Sequence, residues 1–291
     1  MQLFVNDLTV MDFSYLCAER GMVGESWIVD VLLDGALNDE SMIQDFGKVK
    51  KDLKRLIDEY VDHKLLVPAD YAQTRVIHDE NSAQVEVQFR CHDGRQFMLS
   101  SPADAYAFVY APEVTMTSVS DYLKEVLATH LPDNVDDIEL ILRTEVIDTP
   151  FYHYTHGLKK HDGNCQRIAH GHRSKIDIFI DGVSCLESQN YWAQRWKDIY
   201  IATREDQVDL ADTCIQGEIS APENYHCFAY EASQGRFEII LPKSDCEIID
   251  TDSTVECLAQ YIFQHQKQRR PEGKCKVLAY EGVGKGAMIS E

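Results

Sequence analysis

The chain repeats itself, and this constrains its fold more than any other feature. The segment MVGESWIVDVLLDG near the N-terminus returns as HGHRSKIDIFIDG. Gly24, Asp30, Asp34 and Gly35 match Gly171, Asp177, Asp181 and Gly182, each pair 147 apart. The same spacing pairs Phe4 with Phe151, and Val61-Asp62 with Val208-Asp209. Further on the spacing falls to 136, pairing Val119 with Val255, Leu142 with Leu278 and Glu145 with Glu281. A self-match at fixed spacing marks a duplicated structural unit. The expected division is residues 1–146 and 147–291, with the longer middle in the first copy.

Each copy reads as the same series of elements. An opening strand (2–10; 148–157) precedes a second one, IVDVLLDG or IDIFIDG, of alternating or continuous apolar character. A helix follows. In the first copy Asp45 caps it, and Phe46, Val49, Leu53, Leu56, Ile57 and Tyr60 keep one apolar face. Next comes a hairpin, turning at Asp93-Gly94 or Gln234-Gly235. A second helix (118–130; 254–265) and a last strand, IELILRTE or KVLAYE, close the unit. This order predicts an α+β fold, an antiparallel sheet with helices on one face.

The copies differ in their chemistry. The second carries His156, Cys165, His170 and His172; 147 residues earlier stand Thr9, Ala18, Val23 and Glu25. Histidines needed only for the core would have little reason to vanish from the twin. His170 and His172 are two apart, so on a strand both face one way, and His156 lies on the preceding strand. Three neutral imidazoles with an open fourth position is the layout of catalytic zinc. A solvated histidine cluster is the plain alternative. Cys165 sits among Lys159, Lys160, Arg167 and Arg173, and cationic neighbours favour a reactive thiolate and a phosphate-bearing ligand. The other contrast runs the opposite way: the first copy has Asp62-His63 where the 147 spacing gives Asp209-Leu210. An aspartate beside a histidine can act as an oriented acid/base.

Composition excludes several classes. A net charge of -21 argues against nonspecific nucleic-acid binding. No run approaches the roughly 18 apolar residues of a membrane span, and MQLFVNDLTVMDF is not a signal peptide. Nine scattered cysteines without a C-x-x-C pair read as reduced, mostly buried thiols of a cytoplasmic protein. The glycine-rich tail EGVGKGAMIS does not match a P-loop. Trp27, Trp192 and Trp196 read as core or interface residues, and KVKKDLKR as a solvated helix face.

In order and spacing these motifs resemble the 6-pyruvoyltetrahydropterin synthase / 6-carboxytetrahydropterin synthase family, of the tunnelling fold. The second copy supplies FYHYTHGL, Cys165, HGH, STVECLAQYI and AYEG; the first supplies QDFGKVK, DHKLL, TSVSDYL and RTE. The resemblance implies two fused tunnelling-fold (T-fold) units, one with a zinc site and one without zinc ligands. It implies His156, His170 and His172 as Zn2+ ligands, Cys165 as the base, and Asp62 and His63 as the acid/base pair. It also implies that Glu281, with Thr254 and Glu256, holds the pterin edge. Ser118 and Ser120 stand for Thr254 and Glu256 in the first copy, which keeps Glu145. The implied activity is a carbon–carbon or carbon–oxygen lyase acting on 7,8-dihydroneopterin triphosphate, in a homo-oligomer, trimer or dimer. Departures from the pattern are Val67 for asparagine, Arg173 after HGH, and YWAQRWKD in place of the D-F-G helix start. Two rival functions are a non-catalytic pterin-binding subunit and a zinc hydrolase. The hydrolase would need a glutamate close to the ligands in sequence, and none lies in 157–175.

Overall fold

The computed structural model describes residues 1–78 and 83–291. The first copy contains β1 (Gln2–Cys17), β2 (Gly21–Gly35), α1 (Phe46–Tyr60), β3 (Leu65–Pro68), β4 (Thr74–His78), β5 (Gln84–Arg90), β6 (Gln96–Pro102), β7 (Tyr106–Val109), α2 (Met116–Ala128) and β8 (Val135–Thr144). The second contains β9 (Phe151–His156), β10 (His170–Ile180), β11 (Val183–Ser184), α3 (Leu186–Arg195), β12 (Ile199–Thr203), β13 (Gln207–Val208), β14 (Tyr225–Ala232), β15 (Gly235–Pro242), β16 (Cys246–Ile249), α4 (Val255–Arg269), β17 (Cys275–Tyr280) and β18 (Gly286–Ser290). The expected cap is present, with the Asp45 side chain accepting from the Lys48 amide.

Three sheets form. One is β7-β3-β1-β2-β8; the second is β16-β12-β9-β10-β17-β18, with β11 beside β10; the third is β13-β14-β15-β6-β5-β4. The first two are not purely antiparallel as expected, because β3 and β7, like β12 and β16, join in parallel. The helices of the first copy pack on its sheet through Val49, Leu53, Leu56, Ile57, Val119, Leu123 and Leu127. Trp192, Trp196, Leu258 and Ile262 do the same in the second. A third core draws on both copies, setting Leu16, Leu65, Phe97 and Leu99 among Ile168, Tyr200, Phe228 and Ile239.

The repeat does not keep one spacing. Ser14 pairs with Gly24 and Thr155 with Gly171, so β1 and β9 correspond at 141. The shift arises in the turn joining the paired strands, which is short at 18–20 and long at 157–169. Phe4 and Phe151 are therefore not equivalent, and the twin of His156 is Tyr15 rather than Thr9. Ser14 pairs with Leu65 and Thr155 with Tyr200, a spacing of 135. The twin of His63 is thus Asp198, not Leu210, and both adopt left-handed backbone, φ 55° and 56°. Helices α2 and α4 align on their caps, Thr115 and Thr254, which places Thr115 rather than Ser118 opposite Thr254.

A pseudo-twofold axis relates the copies, because equivalent residues meet each other. Ser14 Oγ and Thr155 Oγ1 share a buried hydrogen bond of 2.8 Å. Leu99 of β6 pairs with Ile239 of β15, each preceding its own proline and short 3-10 turn by the same distance. Gly24 and Gly171 touch: a Cβ on Gly171 would lie 2.3 Å from the Tyr154 carbonyl and 2.7 Å from Gly24 Cα. Neither obstacle is a side chain that can swing aside. Gly171→Ala is expected to cost about 2 kcal/mol or more, read as a lower urea midpoint; an unchanged midpoint would show that the copies do not close at this point.

Candidate active site

Antiparallel pairing sets His156 of β9 directly opposite His170 of β10, with His172 two residues on and facing the same way. The three rings converge, with centroids 4.6, 5.3 and 5.8 Å apart, and all three are buried. His156 Nδ1–H donates to the Ser253 carbonyl at 3.0 Å, and His170 Nδ1–H to the Arg167 carbonyl at 3.0 Å. Carbonyl oxygens only accept, so these partners assign the tautomers and leave each Nε2 with a free lone pair. His156 Nε2 and both His172 nitrogens are buried without a hydrogen-bond partner. One nitrogen from each ring lies within 4.8 Å of the other two.

Burial, reinforced by the neighbouring imidazoles, holds His156 and His170 well below the usual histidine range. They are neutral, the state a metal ligand requires. Orphaned, converging imidazole nitrogens in a buried pocket fit a tetrahedral ion with one position open.

The first copy delivers an acid/base pair to this cluster. Beyond α1 the chain turns at His63, and His63 Nδ1 meets Asp62 Oδ2 at 2.6 Å. The His63 ring stands 5.0 Å from that of His170. His63, Cys165 and His170 each place a ligand atom within 4.8 Å of the other two. Burial would lower the His63 pKa, but the Asp62 hydrogen bond and Cys165 outweigh it and raise it to about 10. The Cys165 loop is held from below: the Gln166 amide donates to Gly163 O at 2.7 Å, and Gln166 Oε1 accepts from the Gln234 amide at 2.7 Å. Arg167 reaches from this loop to the His63 carbonyl at 3.4 Å.

The basic patch expected around Cys165 does not form. Lys159 is paired with Asp206 and Glu205, at 2.5 and 2.6 Å, and Lys160 with Asp252 at 3.0 Å. Arg173 points away, bonding the Glu145 carbonyl at 2.9 Å and stacking over Phe151. These acids lie far along the chain, which is why local sequence hid them. The cysteines also depart from expectation: Cys91, Cys227 and Cys275 are buried, Cys214 is exposed, and the other five are half-buried.

Of the expected pterin-edge residues, Glu281 lies beside the cluster, its Oε1 3.9 Å from His172 Nε2. Thr254 spends its hydroxyl capping α4, accepting from the Cys257 amide at 3.4 Å. Glu256 is exposed on the first turn of that helix. Two residues that matter were missed. Asp12 is buried beside His172, and Lys285 bonds it at 3.1 Å from the tail. The signal for Asp12 was there: it is the lone acid inside an apolar strand, TVMDFSYL.

At the twin position the same backbone carries Tyr15, Val23 and Glu25. Asp198, the counterpart of His63, is locked to Arg20 at 2.5 Å. Burial raises the Glu25 carboxyl to about 7. A single carboxylate beside a paired guanidinium does not reproduce the three-imidazole set.

His63 carries a testable linkage. Its folded-state pKa is raised from 6.5 to about 10, so its stabilisation is complete below pH 6.5 and lost as pH rises through about 10. Unfolding free energies measured across that range should fall more steeply for the wild type than for His63→Asn; parallel curves would refute the assignment.

The family model for 6-pyruvoyl tetrahydropterin synthase matches this chain twice, over residues 17–151 and 145–290. A solved 6-pyruvoyl tetrahydropterin synthase from Plasmodium vivax is 15% identical, covering 51% of this chain and 93% of that one, with a TM-score of 0.40. The Plasmodium falciparum enzyme is 14% identical, covering 49% and 90%, with a TM-score of 0.39. No curated protein sequence matches significantly. The doubled match settles the kinship: the chain belongs to the 6-pyruvoyl tetrahydropterin synthase family, as two tandem T-fold units of α+β class.

Proposed function

We propose that this protein is a zinc-dependent pterin synthase acting on 7,8-dihydroneopterin triphosphate, with one composite active site per chain. The division of labour follows the repeat. Residues 1–146 supply Asp62 and His63; residues 147–291 supply Cys165 and the ligands His156, His170 and His172. The observation that carries this reading is the packing of His63 and Cys165 against His170, all three within 4.8 Å. A metal pocket and an acid/base pair that belong to different copies share one histidine.

The three imidazole Nε2 atoms would hold the ion, which supplies Lewis acidity toward the hydroxyls of the substrate side chain. Cys165 Sγ removes the adjacent side-chain proton. His63, oriented through Nδ1 by Asp62, stabilises the thiolate and relays the proton. Glu281 accepts two N–H bonds from the amino-pyrimidinone edge of the pterin. The product is 6-carboxy- or 6-pyruvoyl-tetrahydropterin. Free sheet edges at β8 and β18 suit association of chains into a dimer or trimer, and nine unpaired thiols suit the cytoplasm.

One observation favours a second reading. Glu281, remote in sequence, stands close enough to His172 to act as general base for a water, as hydrolysis would need. A third reading is a pterin-binding subunit without turnover. Mass spectrometry of products formed from dihydroneopterin triphosphate separates them. The expected outcome is one zinc per chain, a lyase product, and a drop of about 10²- to 10⁴-fold in both Cys165→Ala and His63→Ala. A hydrolysed product would favour the second reading; bound zinc without turnover would favour the third.

A further inference from the structure

Asp12 belongs to the first copy, yet its carboxylate is buried against a histidine of the second. Its Oδ1 lies 3.2 Å from His172 Nδ1 and accepts from Ser26 Oγ at 2.5 Å, while Oδ2 accepts from Lys285 Nζ at 3.1 Å. Its backbone is occupied as well. The Asp12 amide donates to Asp62 Oδ1 at 2.8 Å, and the Asp12 carbonyl accepts from the His63 amide at 2.7 Å. One residue thereby touches a candidate metal ligand with its side chain and both members of the acid/base pair with its main chain.

The pseudo-twofold axis shows that this contact is specific to one site. The twin of Asp12 is His153, and the twin of His172 is Glu25. These two also face each other, with His153 Nδ1 3.8 Å from Glu25 Oε2. The same crossing of copies is kept, but acid and imidazole have exchanged places. Only at the Asp12 end does the imidazole face the cluster, so only there does the carboxylate stand behind a possible ligand.

We propose that Asp12 is the positioning residue of the site. It holds His172 as the Nδ1–H tautomer, which turns the Nε2 lone pair toward His156 and His170, and it fixes the Asp62-His63 turn to the same strand. His156 and His170 have carbonyl acceptors for this purpose; His172 has a carboxylate supplied across the fold. Removing such an outer partner weakens metal binding by about 10- to 100-fold.

The inference rests on the zinc reading, and the test separates the two. Zinc affinity would be measured by competition with a chromophoric chelator for the wild type, Asp12→Asn and Lys285→Met. The His172 tautomer would be read by nitrogen-15 NMR of the metal-free chains. Asp12→Asn should bind zinc about 10- to 100-fold more weakly and lose the uniform Nδ1–H signature. Lys285→Met, which leaves the His172 contact in place, should stay within about threefold of the wild type. If Asp12→Asn fails to fold, Ser26→Ala, which frees Oδ1, should weaken zinc in the same direction. A folded Asp12→Asn or Ser26→Ala with unchanged affinity and tautomer would overturn the role of Asp12 while leaving the zinc site standing. A wild type without zinc affinity would overturn both.

Discussion

Close contact between Gly24 and Gly171 is the constraint on which the rest of the structure depends. Two strands that carried side chains there would be held apart, and the backbones could not come near enough for Ser14 to meet Thr155. That approach places β1 and β2 against β9 and β10. Everything at the candidate site that crosses between copies, from the Asp62-His63 turn to Asp12, inherits its position from it. The Leu99–Ile239 ladder and the shared core complete the closure, so the copies are repeats in sequence but not separate bodies in packing.

Within that symmetric frame the chemistry is one-sided. Burial acts on both ends of the axis but with opposite results. At one end it keeps imidazoles neutral and their lone pairs free. At the other it faces a carboxylate, Glu25, whose desolvation raises its pKa to about 7, beside an arginine already matched to Asp198. The unused end thus has its charges compensated, which an acidic protein needs wherever it buries them.

Features that depend on local periodicity were legible in the sequence. The H-G-H spacing and a histidine on the preceding strand were enough to expect three imidazoles on one face. Asp45 was readable as a cap, because capping is settled within three residues. Equivalence between copies was only half legible. A match at 147 holds on β2 and β10, but loop lengths differ on either side of it, so Thr9, Leu210 and Ser118 were paired with the wrong partners. Contacts between distant segments were not legible. Asp206 and Asp252 neutralise the lysines near Cys165, and Glu281 stands beside His172 although nothing between 157 and 175 announces it. Sequence spacing carries no information on such meetings until the register is known.

The β6–β15 ladder has a consequence for how the molecule is assembled. Two unlinked copies would each expose that strand as an open edge, and its pairing would depend on concentration and compete with any other free edge. Here the exposed segment around Val146 ties the copies together. A tether of this kind sets an effective concentration on the order of millimolar, so pairing becomes a first-order event that dilution does not undo. The tether also frees residues on either side of the axis from being identical, which a dimer of one short chain could never allow.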